Sequence, residues 1–138
     1  MKYYIASGLE NFKQVQELKA ILDARGWEHT YDWTKHGPVW HEGAASLQNV
    51  AMDEIDGVFT AEVIIALLPG GRGTHVELGA ALGVCSFGNG PRVVIYSPTP
   101  EKDFAVGPGT CAFYHHPLVE RFSSWDEMLS TFLTECGA

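Results

Sequence analysis

The feature that most constrains the fold is an apolar run that ends in a glycine-rich turn and passes directly into a helix. Residues 61–68 form the most apolar stretch of the chain, which is typical of a central strand buried on both faces of a sheet. Pro69-Gly70-Gly71-Arg72-Gly73 breaks this strand, and residues 74–87 return to helical spacing. A buried strand followed at once by a helix is the repeating unit of parallel sheets. The pattern therefore predicts an α/β fold.

Periodicity along the rest of the chain gives the order β-α-β-α-β-α-β-β-α. This order predicts a single domain over residues 1–138, a Rossmann/flavodoxin-like three-layer sandwich with a mostly parallel five-stranded sheet. The helix over residues 44–60 is expected to turn Leu47, Val50, Ala51, Ile55 and Val58 inward. The predicted strands are 2–6, 27–31, 61–68, 92–96 and 111–114, and the predicted helices are 11–25, 44–60, 74–87 and a last one capped by Ser123 or Ser124 that runs to about residue 136.

Charge and cysteine usage exclude several classes of partner. The net charge is −8, and the nine Lys and Arg residues are scattered, so nucleic acid polymers and anionic membranes are poor candidates. A single phosphate group is still possible, because backbone amides can hold it. The first apolar run is too short for a signal peptide, so a cytoplasmic protein is expected. Cys85, Cys111 and Cys136 form no C-x-x-C pair, and His115-His116 has no acidic partner at ligand spacing, so we expect no metal.

Glu77 is the residue of the glycine-rich segment that we expect to take part in the chemical reaction. Thr74-x-x-Glu77 formally makes a capping box at a helix start, which is the structural interpretation of this glutamate. The functional interpretation rests on its place beside the carboxyl ends of the strands, where parallel sheets bind their ligands. A carboxylate there can attack an anomeric carbon while nearby N–H groups hold the sugar.

The chain resembles the nucleoside 2-deoxyribosyltransferase family, whose superfamily includes the nucleoside 5′-monophosphate N-glycosidases. The likeness is carried by Gly73-Thr74-His75-Val76-Glu77-Leu78-Gly79-Ala80-Ala81, by the acidic helix end from Glu54, by the strand from Glu62 and by the opening Tyr3-Tyr4-Ile5-Ala6-Ser7-Gly8. A secondary likeness joins Pro69–Glu77 to the PGGxGTxxE motif of the phosphoribohydrolases that release cytokinin bases. Both likenesses imply cleavage or transfer at an N-glycosidic bond, without a cofactor or metal.

The family likeness implies specific roles for several positions. It makes Glu77 the nucleophile and Glu54, eight positions before Glu62, the partner acid, with adjacent Asp53 as the fallback. The family usually has Asp at the positions of Glu54 and Glu62, and it has an acid or hydroxyl where this chain has Gly71. A homo-oligomer that completes the site from a neighbour is also implied. The substrate-binding positions expected on this basis are Tyr4, Ala6, Ser7, Gly8, Asp53, Gly70, Gly71, Gly73 and Thr74.

Four alternatives stay open at this point. The missing polar residue at Gly71 also fits a nucleotide-binding or sensing module that has lost turnover. Arg72 either pairs with a phosphate or is simply solvated, and Tyr4 is either a site residue or a core residue. The loop with Trp33, His36, Trp40 and His41 either closes over a nucleobase as an aromatic lid or folds onto its own hydrophobic residues.

Overall fold

Strands and helices alternate along residues 1–137, the part of the chain that a computed structural model describes, with side chains for all but residues 132, 133 and 135–137. The side chain of Cys136 is therefore outside the described part of the chain. In chain order the elements are β1 (Lys2–Ser7), α1 (Phe12–Ala24), β2 (Glu28–His29), α2 (Ala44–Thr60), β3 (Val63–Leu67), α3 (Arg72–Cys85), β4 (Arg92–Tyr96), α4 (Pro100–Asp103), β5 (Val119–Phe122) and α5 (Trp125–Gly137), with short 3-10 turns at Leu9–Asn11, Trp33–Lys35, Trp40–Glu42 and Ala112–His115.

The five strands form one sheet in the order β2-β1-β3-β4-β5, and every neighbouring pair is parallel. This confirms the predicted α/β fold with its five-stranded sheet, and the strand order is the flavodoxin-like one. The chain steps outward from β1 to β2 and then returns past β1 to β3. Because crossovers between parallel strands are right-handed, α1, which connects β1 to β2, covers one face of the sheet, and α2 and α3, which connect β2 to β3 and β3 to β4, cover the other. The strand order reverses between β1 and β3, which is where such sheets bind ligands.

The core is centred on β1 and β3. All five residues of β3 are buried, as are Tyr3–Ala6 of β1. Burying a Val, Leu or Ile side chain contributes roughly 1.5–3 kcal/mol each, so these two strands fix the sheet. Their register pairs Ser7 with Leu67, which brings the turns that follow β1 and β3 side by side. No helix in residues 1–137 is long and apolar enough to cross a membrane.

The fifth strand was predicted in the wrong place. Residues 111–114 mostly form the 3-10 turn Ala112–His115, and the strand is Val119–Phe122. Tyr114 explains the difference, because its buried ring packs edge-on against Phe104 and requires a turn rather than an extended strand. The edge strand is only partly buried, so it lacks a clear apolar period. The predicted cap of α5 is confirmed, since the Glu127 N–H donates to Ser124 Oγ at 3.2 Å.

Helix α2 buries less than its period predicts. Leu47 and Ala51 were expected to face inward but are exposed, while Val50 and Ile55 are half-buried. Only Gly57 and Val58, near the end of the helix, are fully buried. Most of α2 therefore packs beside α3 rather than on the sheet, and part of its apolar stripe faces solvent.

Candidate active site

A cavity of about 390 Å³ opens at the carboxyl ends of β1 and β3, at the reversal of strand order. Two of its walls are the turns that follow these strands, and a third is the loop before α2. The helices α2 and α3 contribute side chains from the remaining sides. The lining residues are Ser7, Gly8, Leu9, Glu10, Trp33, His36, Gly37, Pro38, Val39, Val50, Glu54, Gly71, Arg72, Gly73, Thr74 and Glu77.

Glu77 lies in the second turn of α3 and takes no part in a helix cap. The helix begins at Arg72, two residues earlier than predicted. Thr74 is therefore inside the first turn, where its Oγ1 accepts the Gly71 N–H at 3.1 Å. The predicted capping box from Thr74 to Glu77 is wrong, because the helix starts before Thr74 and Gly70, having no Cβ, leaves room for the Thr74 side chain to fold back over it. The Glu77 side chain is 5% exposed and faces the cavity.

Tyr4 of β1 is hydrogen-bonded to the Glu77 carboxyl. The buried Tyr4 phenol donates a 2.5 Å hydrogen bond to Glu77 Oε2. Burial, followed by the charge of Glu77, raises the pKa of Tyr4 far above its ordinary value, so the phenol stays a donor. Gly57 of α2 makes room for this ring, since a Cβ there would lie 3.0 Å from Tyr4 ring carbons and 2.9 Å from Tyr31 Cβ.

Glu54 and Glu77 form a pair of carboxyl groups that titrate together. Burial is the largest cause that raises the pKa of Glu77 to about 8; the hydrogen bond from Tyr4 opposes the shift and the charge of Glu54 adds to it. Burial also raises the pKa of Glu54, against the hydrogen bond with Glu77 and the charge of His36. Two adjacent carboxyls in such a setting resist carrying two charges, so between the loss of the first and of the second proton the pair holds one proton. The pair can therefore offer one carboxylate and one acid.

The two turns beside the carboxyl pair are tied to each other. Ser7 Oγ donates to the Leu67 carbonyl at 2.6 Å, and the Gly8 N–H donates to the Pro69 carbonyl at 3.3 Å. The Asn11 side-chain amide bridges the same region, donating to Ser7 Oγ at 3.1 Å and to the Pro69 carbonyl at 3.2 Å. These bonds fix the glycine turn relative to β1.

Trp33 and His36 form the aromatic side of the cavity. Trp33 is 4% exposed, and its Nε1–H donates to the Ile5 carbonyl at 2.8 Å, so the indole is anchored in the core. His36 is exposed, and its Nδ1 lies 2.6 Å from the Gly37 carbonyl. Trp40 and His41 are exposed and are not among the lining residues. The loop therefore supplies two aromatic rings to the cavity, and one of these also packs in the core.

The structure places most of the predicted site residues together. Glu54, Glu77, Ser7, Gly8, Gly71, Gly73 and Thr74 line the cavity. Three other predicted positions do not line the cavity. Ala6 is fully buried in β1, and Asp53 is exposed on α2. Gly70 lies against the Thr74 side chain, so closely that a Cβ at Gly70 would be 2.5 Å from Thr74 Cγ2. Arg72 is exposed and lines the cavity. Within residues 1–137, no group of three His, Cys, Asp or Glu side chains could hold a metal.

Sequence reasoning missed several contributors to the site. Glu10 is a third lining carboxylate, folded over Gly8 so closely that a Cβ on Gly8 would lie 2.5 Å from its Oε1. Val50 and Val39 add apolar surface. The Asn11 bridge had one available signal, since an asparagine that follows Ser7 at helical spacing can reach back to it. The position of Glu10 had none, because it depends on how the 3-10 turn folds.

Comparison with known proteins adds one finding about the fold. No family model and no curated protein matches the chain. Among solved structures, the chain is similar to the CMP N-glycosidase BcmB of Clostridium botulinum, with a TM-score of 0.59 and 18% sequence identity. The match covers 98% of this chain and 99% of that one, so the two share their whole fold.

Proposed function

We propose that this chain breaks the N-glycosidic bond of a nucleoside or nucleoside 5′-monophosphate, with Glu77 as the nucleophile and Glu54 as the acid–base group. The observation that carries the proposal is the buried Glu54–Glu77 pair with Tyr4 donating to Glu77, in a cavity at the sheet's reversal point. The fold shared with a CMP N-glycosidase supports the same reaction class. The resemblance around Gly73–Leu78 agrees with it.

The reaction needs the shared proton on Glu54 and the negative charge on Glu77. The Tyr4 hydrogen bond favours this arrangement, because it stabilises the charged form of Glu77. Glu77 then attacks C1′, the bond from C1′ to the base breaks, and the proton of Glu54 passes to the departing base. Water, or a second base, next attacks C1′ of the glycosyl-enzyme and gives its proton to Glu54. Glu77 is released as a carboxylate, and the anomeric configuration is retained.

The rest of the cavity has matching roles in this proposal. The N–H groups of the first turn of α3 have no acceptor within the helix, and the residues of this turn line the cavity, where they would bind the sugar or any phosphate. Arg72 supplies positive charge on that side. Trp33, His36 and Val39 form a surface for the flat face of a nucleobase. No step requires a metal or an organic cofactor.

Incubation of the purified protein with nucleosides and their 5′-monophosphates tests the proposal through release of free base, measured by liquid chromatography. Cytidine, 2′-deoxycytidine and cytidine 5′-monophosphate are the first probes, because of the fold neighbour's substrate. A second arm adds a different free base and looks for exchange, which separates a transferase from a hydrolase. Binding of these compounds without release or exchange would support the other function, a binding or sensing module. Gly71 favours this alternative, because the resembled family has an acid or hydroxyl at this position and glycine has no side chain.

A further inference from the structure

His75 contacts the glycine turn from outside the cavity. It follows Thr74 on α3 but is not among the lining residues. Its Nδ1 lies 2.7 Å from the Gly71 carbonyl oxygen, and its Nε2 lies 2.6 Å from the Tyr114 hydroxyl. The His75 and Tyr114 rings also stack, with centroids 5.7 Å apart. Both ring nitrogens of His75 are therefore engaged, one by the turn and one by a distant segment.

The partners fix which nitrogen of His75 carries the proton. A carbonyl oxygen can only accept, so Nδ1 bears the hydrogen and donates it to Gly71. Nε2 of the neutral ring is then an acceptor, and Tyr114 donates its O–H. Burial raises the pKa of Tyr114 to about 12, so this hydroxyl keeps its proton near neutral pH. Tyr114 is 7% exposed and packs edge-on against Phe104, so it is a firm anchor.

The Gly71 peptide groups are held on both sides by these contacts. The Gly71 N–H donates to Thr74 Oγ1, while the Gly71 carbonyl accepts from the His75 ring at 2.7 Å and from the His75 backbone N–H at 3.3 Å. Gly71 itself has no side chain that could set its orientation, and a Cβ there would meet open space. The Gly71 carbonyl shares its planar peptide group with the Arg72 N–H, so a contact that orients this carbonyl also orients that N–H, and the Gly73 N–H follows in the next peptide. These residues line the cavity.

We propose that His75 is a positioning residue for the candidate active site. Held in place by Tyr114, the His75 ring orients the glycine turn toward the ligand and does not itself contact the ligand. The proposal depends on the proposed function in one respect, that the turn binds the sugar or phosphate part of a nucleoside or nucleotide. It extends the site to a segment between β4 and β5 that contributes no lining residue to the cavity.

The kinetic test uses Tyr114→Phe, His75→Ala and the double variant, with cytidine and cytidine 5′-monophosphate as probes. Tyr114→Phe removes one hydrogen bond and keeps the ring, so we expect KM to rise about two- to tenfold with kcat little changed. His75→Ala should raise KM further, and the double variant should be no worse than His75→Ala, because the two residues act through one contact. Tyr96→Phe makes the same change at another buried tyrosine; it is the matched control and should leave KM unchanged.

A second test needs no substrate. Long-range ¹H–¹⁵N spectra should show the proton of neutral His75 on Nδ1, and Tyr114→Phe should shift the amide resonances of Gly71 and Gly73 but not those of Gly83. The proposal is overturned if these glycine amides stay in place, or if Tyr114→Phe lowers only thermal stability while KM is unchanged. If wild-type protein releases no base from any probe, the proposed function fails, and the amide shifts still decide the positioning role.

Discussion

The Tyr4 phenol lies 2.5 Å from Glu77 Oε2, across 73 positions of sequence and between β1 and α3. This contact joins the two segments that carry the resemblance to N-glycoside-cleaving enzymes, the opening strand and the glycine-turn helix. Because burial raises the pKa of Tyr4 far above its ordinary value, the phenol keeps its proton and remains a hydrogen-bond donor to Glu77. It thereby tunes the carboxyl that the proposed reaction needs in its charged form.

Removing the Glu77 carboxyl should abolish base release without unfolding the protein. Glu77→Gln keeps the size of the side chain and an acceptor for Tyr4, and Glu77→Ala removes both. We expect either to lower kcat by at least about a thousandfold, as for other covalent nucleophiles. Glu17→Gln, an exposed glutamate on α1, is the control. Normal turnover by folded Glu77→Ala, with its fold checked by circular dichroism, would rule out this nucleophile.

Tyr4→Phe should move the pH dependence of base release toward higher pH. The Tyr4 hydrogen bond lowers the pKa of Glu77 against the larger effect of burial, so its loss raises that pKa further. The rate that requires ionised Glu77 then develops at higher pH, and the rate at neutral pH falls about tenfold for each pH unit that the acidic limb moves. The measurement is kcat/KM between about pH 5 and 10, a range that brackets the raised pKa. An acidic limb that stays in place or moves to lower pH contradicts the role of Tyr4.

Glu77 should also make the fold less stable as the pH rises. Its pKa is raised to about 8 from an ordinary 4.5, so between these values the unfolded chain releases a proton that the folded chain retains. The unfolded state binds fewer protons, and the free energy of unfolding therefore falls with rising pH across this window. Glu77→Gln should flatten the fall. Urea unfolding at about pH 5, 7 and 9 checks this, and equal slopes in the two proteins would contradict it.

Strand and helix positions near the core followed from the sequence because burial dominates there. The β3 run is apolar at every position, so its place at the sheet centre could be predicted without knowing its neighbours. Residues 111–122 behaved differently, because the choice between a strand and a turn was decided by the packing of Tyr114 on Phe104, which lies in a separate segment. Local periodicity carries no information about such a contact.

The candidate site shows the same division. Local spacing pointed to Glu77 and the glycine turn, and the family resemblance pointed to Glu54 through its distance to Glu62. The helix start at Arg72 could not, because it depends on Thr74 folding back onto Gly70 and Gly71. The inward face of α2 was also misjudged, since Leu47 lies in the first half of this helix, which buries none of its residues fully.

The exposed apolar stripe of α2 and α3 should be covered by a second copy of the chain. Met52 and Phe59 on α2 are 59% and 56% exposed, and Val76 on α3 is 61% exposed. An exposed apolar patch across neighbouring helices is typical of protein interfaces. We expect a dimer by light scattering, and a monomer for Met52→Glu, because burying an unpaired charge opposes association. Val106→Glu, at an exposed position elsewhere, is the control; a monomeric wild type contradicts the prediction.

The last prediction separates the roles of two adjacent acids on α2. Glu54 lines the cavity and interacts with Glu77, whereas Asp53 is exposed. Burial raises the pKa of Glu54, as a proton donor to a leaving base requires. Glu54→Gln keeps the size but cannot cycle a proton, so base release should fall at least about tenfold. Because the charge of Glu54 also raises the pKa of Glu77, the acidic limb should move to lower pH in this variant. Asp53→Asn should change neither quantity. An impaired Asp53→Asn beside an unaffected Glu54→Gln moves the role to Asp53, and two unaffected variants contradict a two-carboxylate mechanism.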